Sequence, residues 1–310
     1  MNEVVTIDRK GNIKLMVKNP KVLLLGNGIN RAFDFASWDD MLTSIKTSEL
    51  TDEEKSEMKH IPYPLQAVIK TGDNVDNQMK EIATRLVDMS PSTDERDLLQ
   101  RFSTIPIDAI LTTNYTYEIE KAFDEDFTCQ IGLKCKHRKV AKQDAGGYER
   151  AQLHTFFDMG EKYPSVWHIH GEAAKHQTMI IGHYYYGKLI AKAQKYIANH
   201  MAIYKAYLSG KTDFTSSSWI DYFMLGDIYV VGLGLDVSEM DLWWLINCKK
   251  LHFPETKVVL YKPDIKPAER MLAKAYKVGV IEKGLLKTDY KSYYSWVCEK
   301  LTNCLDDRLQ

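Results

Sequence analysis

Four short motifs, each placed directly after an apolar run, constrain the fold of this chain more than any other feature. They are Gly26-Asn27-Gly28-Ile29-Asn30-Arg31, Thr112-Thr113-Asn114-Tyr115, His168-Ile169-His170-Gly171, and Gly232-Leu233-Gly234 followed by Asp236, Ser238 and Asp241. Each apolar run is typical of a buried strand, and the carboxyl ends of parallel strands meet at one edge of a sheet. The sequence therefore predicts that the four motifs gather in one crevice of an α/β fold.

Strand-like and helix-like segments alternate along the chain, which indicates a doubly wound α/β domain with a Rossmann-like parallel sheet. Strands are predicted at 21–25, 108–111, 165–169, 228–231 and 258–261. Helices are predicted from Ala32 past Trp38 to Leu42, in two pieces separated by Pro62 and Pro64 between 47 and 99, at 184–208, and at 239–247.

We expect one domain over residues 1–310, because no repeat, low-complexity tract or linker divides the chain. The segment 127–163 is irregular and contains Gly132 and Gly146-Gly147, so it is predicted to be an insertion or a small sheet. The region 184–222 is predicted to be a second, helical insertion that caps the crevice.

Charge and composition exclude several classes of protein. Lys and Arg total 41 against 42 Asp and Glu, so no basic field concentrates nucleic acid or an anionic membrane. The amino terminus lacks a signal-peptide core, and the apolar stretch 222–231 is interrupted by Gly226 and Asp227. The five cysteines contain no CxxC pair and are expected to be reduced thiols. These features predict a cytoplasmic protein that binds neither membranes nor nucleic acid.

The first motif, Gly26-Asn27-Gly28, stands where a strand passes into a helix. Backbone amides at such a turn can approach a diphosphate at the helix amino terminus. An ordinary βα turn has the same composition, so the motif by itself leaves both interpretations open. Arg31 at the helix start is either a phosphate contact or a solvated side chain.

The middle motifs carry the candidate catalytic groups. The amide of Asn114 supplies a donor and an acceptor in fixed geometry, although an asparagine at a strand end also closes a turn through its own side chain. A neutral imidazole at His170 is suited to general-base catalysis near neutral pH. His168, two residues earlier on the same strand face, is expected to support His170 or to pack.

The last motif combines glycines with hydroxyl and carboxylate groups. Gly232 and Gly234 permit close approach of the backbone to a ligand, and Asp236 or Ser238 can bond a ribose hydroxyl. Asp241 begins a helix, where the helix dipole alone favours a carboxylate. Ligand binding and a structural role therefore stay open for both acids.

A metal site is not expected. His168 and His170 lack a third ligand at a known spacing, and Cys129, Cys135, His137 and His154 provide only a theoretical zinc site.

In their order, the four motifs resemble those of the sirtuin (SIR2-like) family, and specifically its bacterial antiphage-defence branch of NAD-consuming enzymes. The resemblance spans about residues 21–261. It implies that Asn114 and His170 are catalytic. It also implies that NAD+ is bound by Gly26, Asn27, Gly28, Asn30, Arg31, Thr113, Gly232, Gly234, Asp236, Ser238 and Asp241. The chain departs from the family at Asn27, at Thr116 and in lacking the two CxxC pairs of the deacylases, which disfavours deacylation.

The resemblance implies an NAD+ glycohydrolase that releases nicotinamide and ADP-ribose, with NAD+ as substrate and no separate cofactor. Its biological role would be depletion of NAD+ in antiphage defence by abortive infection. A non-catalytic sensor or scaffold that binds NAD+ or ADP-ribose is the alternative, and a deacylase or ADP-ribosyltransferase is a third. The presence of both Asn114 and His170 favours the enzyme.

Unregulated depletion of NAD+ would kill the host, and no appended sensor domain is apparent in the sequence. We therefore expect control by a separate regulatory protein or by assembly into a homo-oligomer. Aromatic residues between Tyr184 and Tyr207, together with Trp219, are candidate contacts, and the same residues are equally suited to the core.

Overall fold

The computed structural model describes residues 4–7, 13–16, 18–33, 50–58, 60–72, 75–142, 152–284 and 289–305. Most of the helix expected between Ala32 and Leu42 lies outside these ranges, as does the glycine pair Gly146-Gly147. Near the amino terminus, β1 (Val4–Ile7) and β2 (Ile13–Met16) pair antiparallel as a separate two-stranded sheet.

An eight-stranded sheet forms the centre of the fold. Its strands are β3 (Lys21–Leu25), β4 (Ala109–Thr112), β5 (Arg138–Val140), β6 (Thr155–Phe157), β7 (Ser165–His168), β8 (Asp227–Val231), β9 (Val258–Lys262) and β10 (Val278–Glu282). The strand order is β10-β9-β8-β3-β4-β7-β6-β5, and the six strands from β10 to β7 are parallel. The predicted α/β class with a mainly parallel sheet is confirmed.

Helices cover both faces of this sheet. They are α1 (Gly28–Arg31), α2 (Asp52–Met58), α3 (Tyr63–Thr71), α4 (Val75–Leu86), α5 (Thr93–Ser103), α6 (Glu118–Phe123), α7 (His183–Leu208), α8 (Trp219–Leu225), α9 (Met240–His252), α10 (Pro267–Tyr276) and α11 (Tyr290–Leu305). Successive strand residues point to opposite faces. Leu23 and Leu25 consequently pack with α4, α5 and α11, whereas Val22 and Leu24 pack with α7, α8 and α9.

The connections contain more helices than the sequence indicates. The described part of the region 47–99 holds α2, α3, α4 and the start of α5 rather than two helical pieces, because Pro62 separates α2 from α3, and Gly72 ends α3 with a positive φ of 51°. In the segment 127–163, predicted to be an insertion or a small sheet, β5 and β6 pair antiparallel and extend the main sheet at its edge.

The region 184–222 begins at the crevice and continues along one face of the sheet. Along α7, Leu189, Ala193 and Ile197 are buried in the apolar layer on one face of the sheet, and only Tyr186 in the first turns reaches the crevice. Trp219, for which the sequence leaves a partner contact and a core position open, is fully buried. Among the described residues, no helix combines the length and apolarity needed to cross a membrane.

Candidate active site

A cavity of about 570 Å³ opens at the carboxyl ends of the central parallel strands. From β3 the chain first adds β4 and β7 on one side and later β8, β9 and β10 on the other. Ligands of doubly wound folds bind at such a reversal of strand order. All four sequence motifs contribute to the walls of this cavity, through Asn27, Gly28, Arg31, Thr113, Asn114, Tyr115, His170, Gly232, Leu233, Gly234, Asp236 and Ser238.

The glycines of the first motif hold two loops together. The Gly26 amide donates to the Val231 carbonyl at 3.0 Å, and the Gly28 amide donates to the Gly232 carbonyl at 2.7 Å. A Cβ on Gly28 would lie 2.6 Å from the Gly232 oxygen, so a larger residue does not fit. Both amides already have a protein acceptor, and the assignment of Gly26 and Gly28 to NAD+ binding stays a prediction.

Asn114 lines the cavity, and Glu118 holds its side-chain amide. Its Nδ2 donates to Glu118 Oε1 at 2.5 Å, and Thr116 Oγ1 donates to Glu118 Oε2 at 2.5 Å. The Glu118 carboxylate can accept a hydrogen bond only from the amide nitrogen, so this contact fixes which way the side-chain amide of Asn114 is turned. Oδ1 of Asn114 is then the atom left to accept a hydrogen bond from a ligand hydroxyl or a water.

His170 forms a buried pair with Asp241. The two side chains are 4% and 1% exposed, and His170 Nε2 lies 2.8 Å from Asp241 Oδ2. A carboxylate accepts from Nε2–H, so the neutral imidazole carries its lone pair on Nδ1. The second carboxylate oxygen, Oδ1, has no hydrogen-bond partner among the described residues. The sequence left open whether Asp241 binds a ligand, and its position behind His170 favours orienting the imidazole.

Charge around His170 controls its protonation. Burial acts most strongly and would lower the pKa of His170, but the Asp241 carboxylate and Glu239 together outweigh it and raise the pKa above its ordinary value of 6.5. Glu239 lines the same cavity, and burial, only partly offset by His170, raises the pKa of its carboxyl to about 7. The cavity lining therefore holds an imidazole whose pKa lies above its ordinary value and an acid whose pKa of about 7 lies within the physiological range.

His168 supports the site from behind. It is buried, its Nδ1 donates to the Asn114 carbonyl at 2.7 Å, and its Nε2 donates to Glu120 Oε1 at 2.8 Å. Burial would lower the pKa of His168, but Glu120 raises it to about 9. The positively charged ring ties the strand end that carries Asn114 to α6, and it is separate from the residues that line the cavity.

The remaining predicted residues divide into two groups. Arg31, Thr113, Asp236 and Ser238 line the cavity, and the Ser238 amide donates to Asp236 Oδ1 at 3.0 Å. Asn30 is 1% exposed and lies outside the lining, as do Gly26 and Asp241. Most of the predicted NAD+-binding residues thus line the cavity, and three of them lie outside its lining.

Several cavity residues were not predicted from the sequence. They include Glu239 and the tyrosines Tyr63, Tyr186, Tyr261, Tyr290, Tyr293 and Tyr294, together with Lys262. Two acids could have been found because they are close in sequence to predicted residues. Glu118 is four residues from Asn114, which it holds, and Glu239 is three residues from Asp236. Tyr293 and Tyr294 lie on α11, far along the chain from every motif, and only the fold brings them to the cavity.

Within the described ranges, no group of three or more His, Cys, Asp or Glu side chains is arranged to hold a metal ion. The two zinc candidates His137 and His154 are instead bonded to backbone carbonyls, of Asp158 at 3.1 Å and of Ser217 at 2.5 Å.

Comparison with known proteins gives matches among solved structures alone. No protein-family model and no curated protein matches the chain. A crystal structure of a Sir2 homolog–NAD complex is 10% identical with a TM-score of 0.37, and the match covers 95% of this chain and 92% of that chain. An ADP-ribose complex of a singly substituted Sir2 homologue is 10% identical with a TM-score of 0.37, covering 95% of this chain and 97% of that one. Similarity at this level does not define an activity.

Proposed function

We propose that this protein is an NAD+ glycohydrolase that cleaves the bond between nicotinamide and ribose. The observation that carries the proposal is the placement of two buried, oriented pairs on one cavity: Asn114 held by Glu118, and His170 held by Asp241. The cavity volume of about 570 Å³ lies within the usual range for small-molecule sites.

The arrangement matches the chemical needs of this reaction. Departure of nicotinamide leaves positive charge on the ribose ring, and water must then attack the same carbon. Asn114 Oδ1 is placed to accept a hydrogen bond from the water or a ribose hydroxyl. Nδ1 of His170 is the basic atom that removes a proton from either group, and Asp241 stabilises the imidazolium that results.

Negative charge near the reacting sugar lowers the barrier further. Asp236 and Glu239 line the same cavity as His170, Asp241 lies behind His170, and the Glu239 carboxyl has a pKa of about 7. Part of the protein population therefore presents an ionised Glu239 at neutral pH. An ionised carboxylate there stabilises a developing oxocarbenium ion by its charge, without forming a bond.

The biological part of the proposal is depletion of NAD+ during antiphage defence, under the control of a partner protein or of assembly. Near the mouth of the cavity, α3 exposes Leu65, Val68 and Ile69, with exposed fractions of 40%, 47% and 45%. Tyr63 and Pro64 of the same helix line the cavity. A protein or second copy that covers this apolar face would contact the site directly, so we expect turnover to depend on protein concentration or on an added partner.

The test is nicotinamide release from NAD+ by purified protein, over a range of protein concentrations and with the products of neighbouring genes. Asn114→Ala and His170→Ala should each lower release by about a hundredfold or more while NAD+ or ADP-ribose still binds. Asn303→Ala and His252→Ala, both at exposed positions outside the cavity, are matched controls and should keep the parent rate.

Two outcomes would contradict the proposal. Parent-level release by both active-site variants would show that the site is wrongly placed. Binding of NAD+ without nicotinamide release under every condition would favour the sensor or scaffold alternative.

A further inference from the structure

The sheet brings Asn114 and His170 to one cavity, but it does not fix the distance between their side chains. Strand β4 ends at Thr112 and β7 ends at His168, so each candidate catalytic residue stands two residues beyond the end of its strand. Past the strand ends, the backbone is held by contacts between loops rather than by the regular ladder of the sheet. The loops that follow the two strands therefore set the geometry of the pair.

The loop 171–180, which follows His170, folds back on that residue. The Ile180 amide donates to the His170 carbonyl at 2.8 Å. Gly171 has a φ of 89°, and a Cβ there would overlap the Thr178 carbonyl. Inside the loop, the Glu172 amide donates to Thr178 Oγ1 at 3.1 Å. Because the loop closes on the His170 backbone, a shift of the loop also shifts His170.

Tyr117 connects the segment of Asn114 to this loop. It lies three residues after Asn114 and is 0% exposed. Its hydroxyl donates to Glu172 Oε2 at 2.7 Å and accepts from the Ala174 amide at 2.9 Å. A hydroxyl carries one proton and has lone pairs to spare, so both bonds form at once. One buried side chain thus joins the segments of the two candidate catalytic residues.

Arg138 on β5 holds the acceptor of this bond in place. Its Nε donates to Glu172 Oε1 at 2.9 Å, and its Nη2 donates to Glu172 Oε2 at 2.6 Å. The two side chains are 10% and 3% exposed. A bidentate pair fixes the plane of the carboxylate, and the guanidinium compensates the buried negative charge. Tyr117 therefore donates to an acceptor that is itself immobilised.

Tyr117, Glu172 and Arg138 all lie outside the lining of the cavity. Tyr115 also bonds the loop, through its hydroxyl to the Ile180 carbonyl at 2.8 Å, but it lines the cavity. A change at Tyr117 therefore alters the connection between the loops without altering a surface that substrate touches.

We propose that Tyr117 is a positioning residue, which holds His170 at its working distance from Asn114 through Glu172; its effect on turnover rests on the proposed hydrolase function. Without the hydroxyl, the Ala174 amide loses its acceptor, and the loop loses its side-chain bond to the Asn114 segment. A misplacement of about 1 Å in an active site can cost about a hundredfold in rate, and partial loosening of the loop is expected to cost about tenfold.

The experiment compares Tyr117→Phe with Tyr204→Phe in the full-length protein. Tyr204 is 1% exposed and donates to Asp221 Oδ1 at 2.7 Å, so its variant also removes a buried tyrosine–carboxylate bond, but outside the cavity lining and both loops. Tyr117→Phe should release nicotinamide with a kcat about tenfold lower and a KM within about twofold of the parent. Tyr204→Phe should keep the parent kcat. The stoichiometry of ADP-ribose binding, measured by calorimetry, corrects each kcat for the folded fraction.

A second readout requires no turnover. Hydrogen exchange at the amides of Ala174 and Ile180 should be about tenfold faster in Tyr117→Phe than in the parent, whereas the amides of β8 should keep the parent rates. Arg138→Lys keeps the positive charge but loses the bidentate geometry that holds Glu172. It should show the same pattern of exchange and kcat, even if Tyr117→Phe does not fold.

A parent-level kcat in Tyr117→Phe would overturn the proposal, as would an equal loss of kcat in Tyr204→Phe. Unchanged exchange at Ala174 and Ile180 in Tyr117→Phe and Arg138→Lys would overturn it as well, whether or not the protein releases nicotinamide. Faster exchange at these amides in a protein that never releases nicotinamide would uphold the connection between the loops and count against the hydrolase function alone.

Discussion

Replacing Glu95 by glutamine should make the stability of this protein less dependent on pH. Glu95 lies on α5 with 0% of its surface exposed, and neither carboxyl oxygen has a hydrogen-bond partner among the described residues. Burial, and then the charge of Glu118, raise the pKa of Glu95 from its ordinary 4.5 to about 7. Glu118 also holds Asn114, so the charge that acts on Glu95 belongs to a residue that orients a side chain of the candidate active site.

The sign and size of the effect follow from the two pKa values. The unfolded chain releases the Glu95 proton near pH 4.5 and the folded chain near pH 7, so folding favours the protonated acid. The free energy of unfolding of the parent therefore falls as the pH rises between these values and stays low above them. At 1.36 kcal/mol for each pH unit, the full loss is about 3 kcal/mol, of which about 2.5 kcal/mol falls between pH 5 and pH 8.

The assay is urea unfolding of the parent and Glu95→Gln at pH 5 and pH 8, followed by circular dichroism. The advantage of the variant should increase by about 2.5 kcal/mol from pH 5 to pH 8. Glu53→Gln, at an exposed position of α2, removes the same charge without burial and should show no such increase. An equal difference between parent and Glu95→Gln at both pH values would refute the reasoning.

Three further predictions concern the site and its scaffold. Asp241→Asn removes the carboxylate that raises the pKa of His170, whereas burial, which lowers this pKa, remains. The acid limb of the pH profile for nicotinamide release should therefore move to lower pH. Turnover should fall about tenfold or more. An unmoved acid limb would contradict this pairing. Gly28→Ala places a Cβ 2.6 Å from the Gly232 oxygen and should lower the free energy of unfolding by about 1–3 kcal/mol in thermal or urea melts. The control is Gly187→Ala in α7, where the added Cβ meets open space, and it should not lower the free energy of unfolding. Nicotinamide release should also survive strong chelators, and loss with EDTA that one added metal restores would show that a metal takes part.

Much of the fold was predictable from local sequence. Short apolar runs such as Val22-Leu23-Leu24-Leu25 indicate buried parallel strands, since both faces of such a strand are covered by helices. That reasoning located β3, β4, β7, β8 and β9, and with them the edge at which the motifs meet. Apolar spacing does not distinguish a helix that packs on the sheet from one that covers a crevice, so the contact of α7 with the sheet face came from the tertiary structure.

The candidate site was predictable to the extent that its residues follow strands directly. Asn114 and His170 come immediately after β4 and β7, so their meeting at one cavity follows from the parallel sheet alone. The catalytic roles assigned to them stay predictions. Glu118 and Glu239 were missed although they lie close in sequence to predicted residues, because a single acid near a motif is as often a solvated side chain.

The sequence by itself determined the chemistry present at the strand ends: an amide, an imidazole, small glycine turns and carboxylates in a fixed order. Only the tertiary structure decided how those groups are used. Asp241 lies 71 residues from His170 along the chain yet bonds to it, and a hydrogen bond between Gly28 and Gly232 joins the first motif to the last. Contacts between distant segments depend on the packing of whole helices and strands, and that information is not contained in any local pattern.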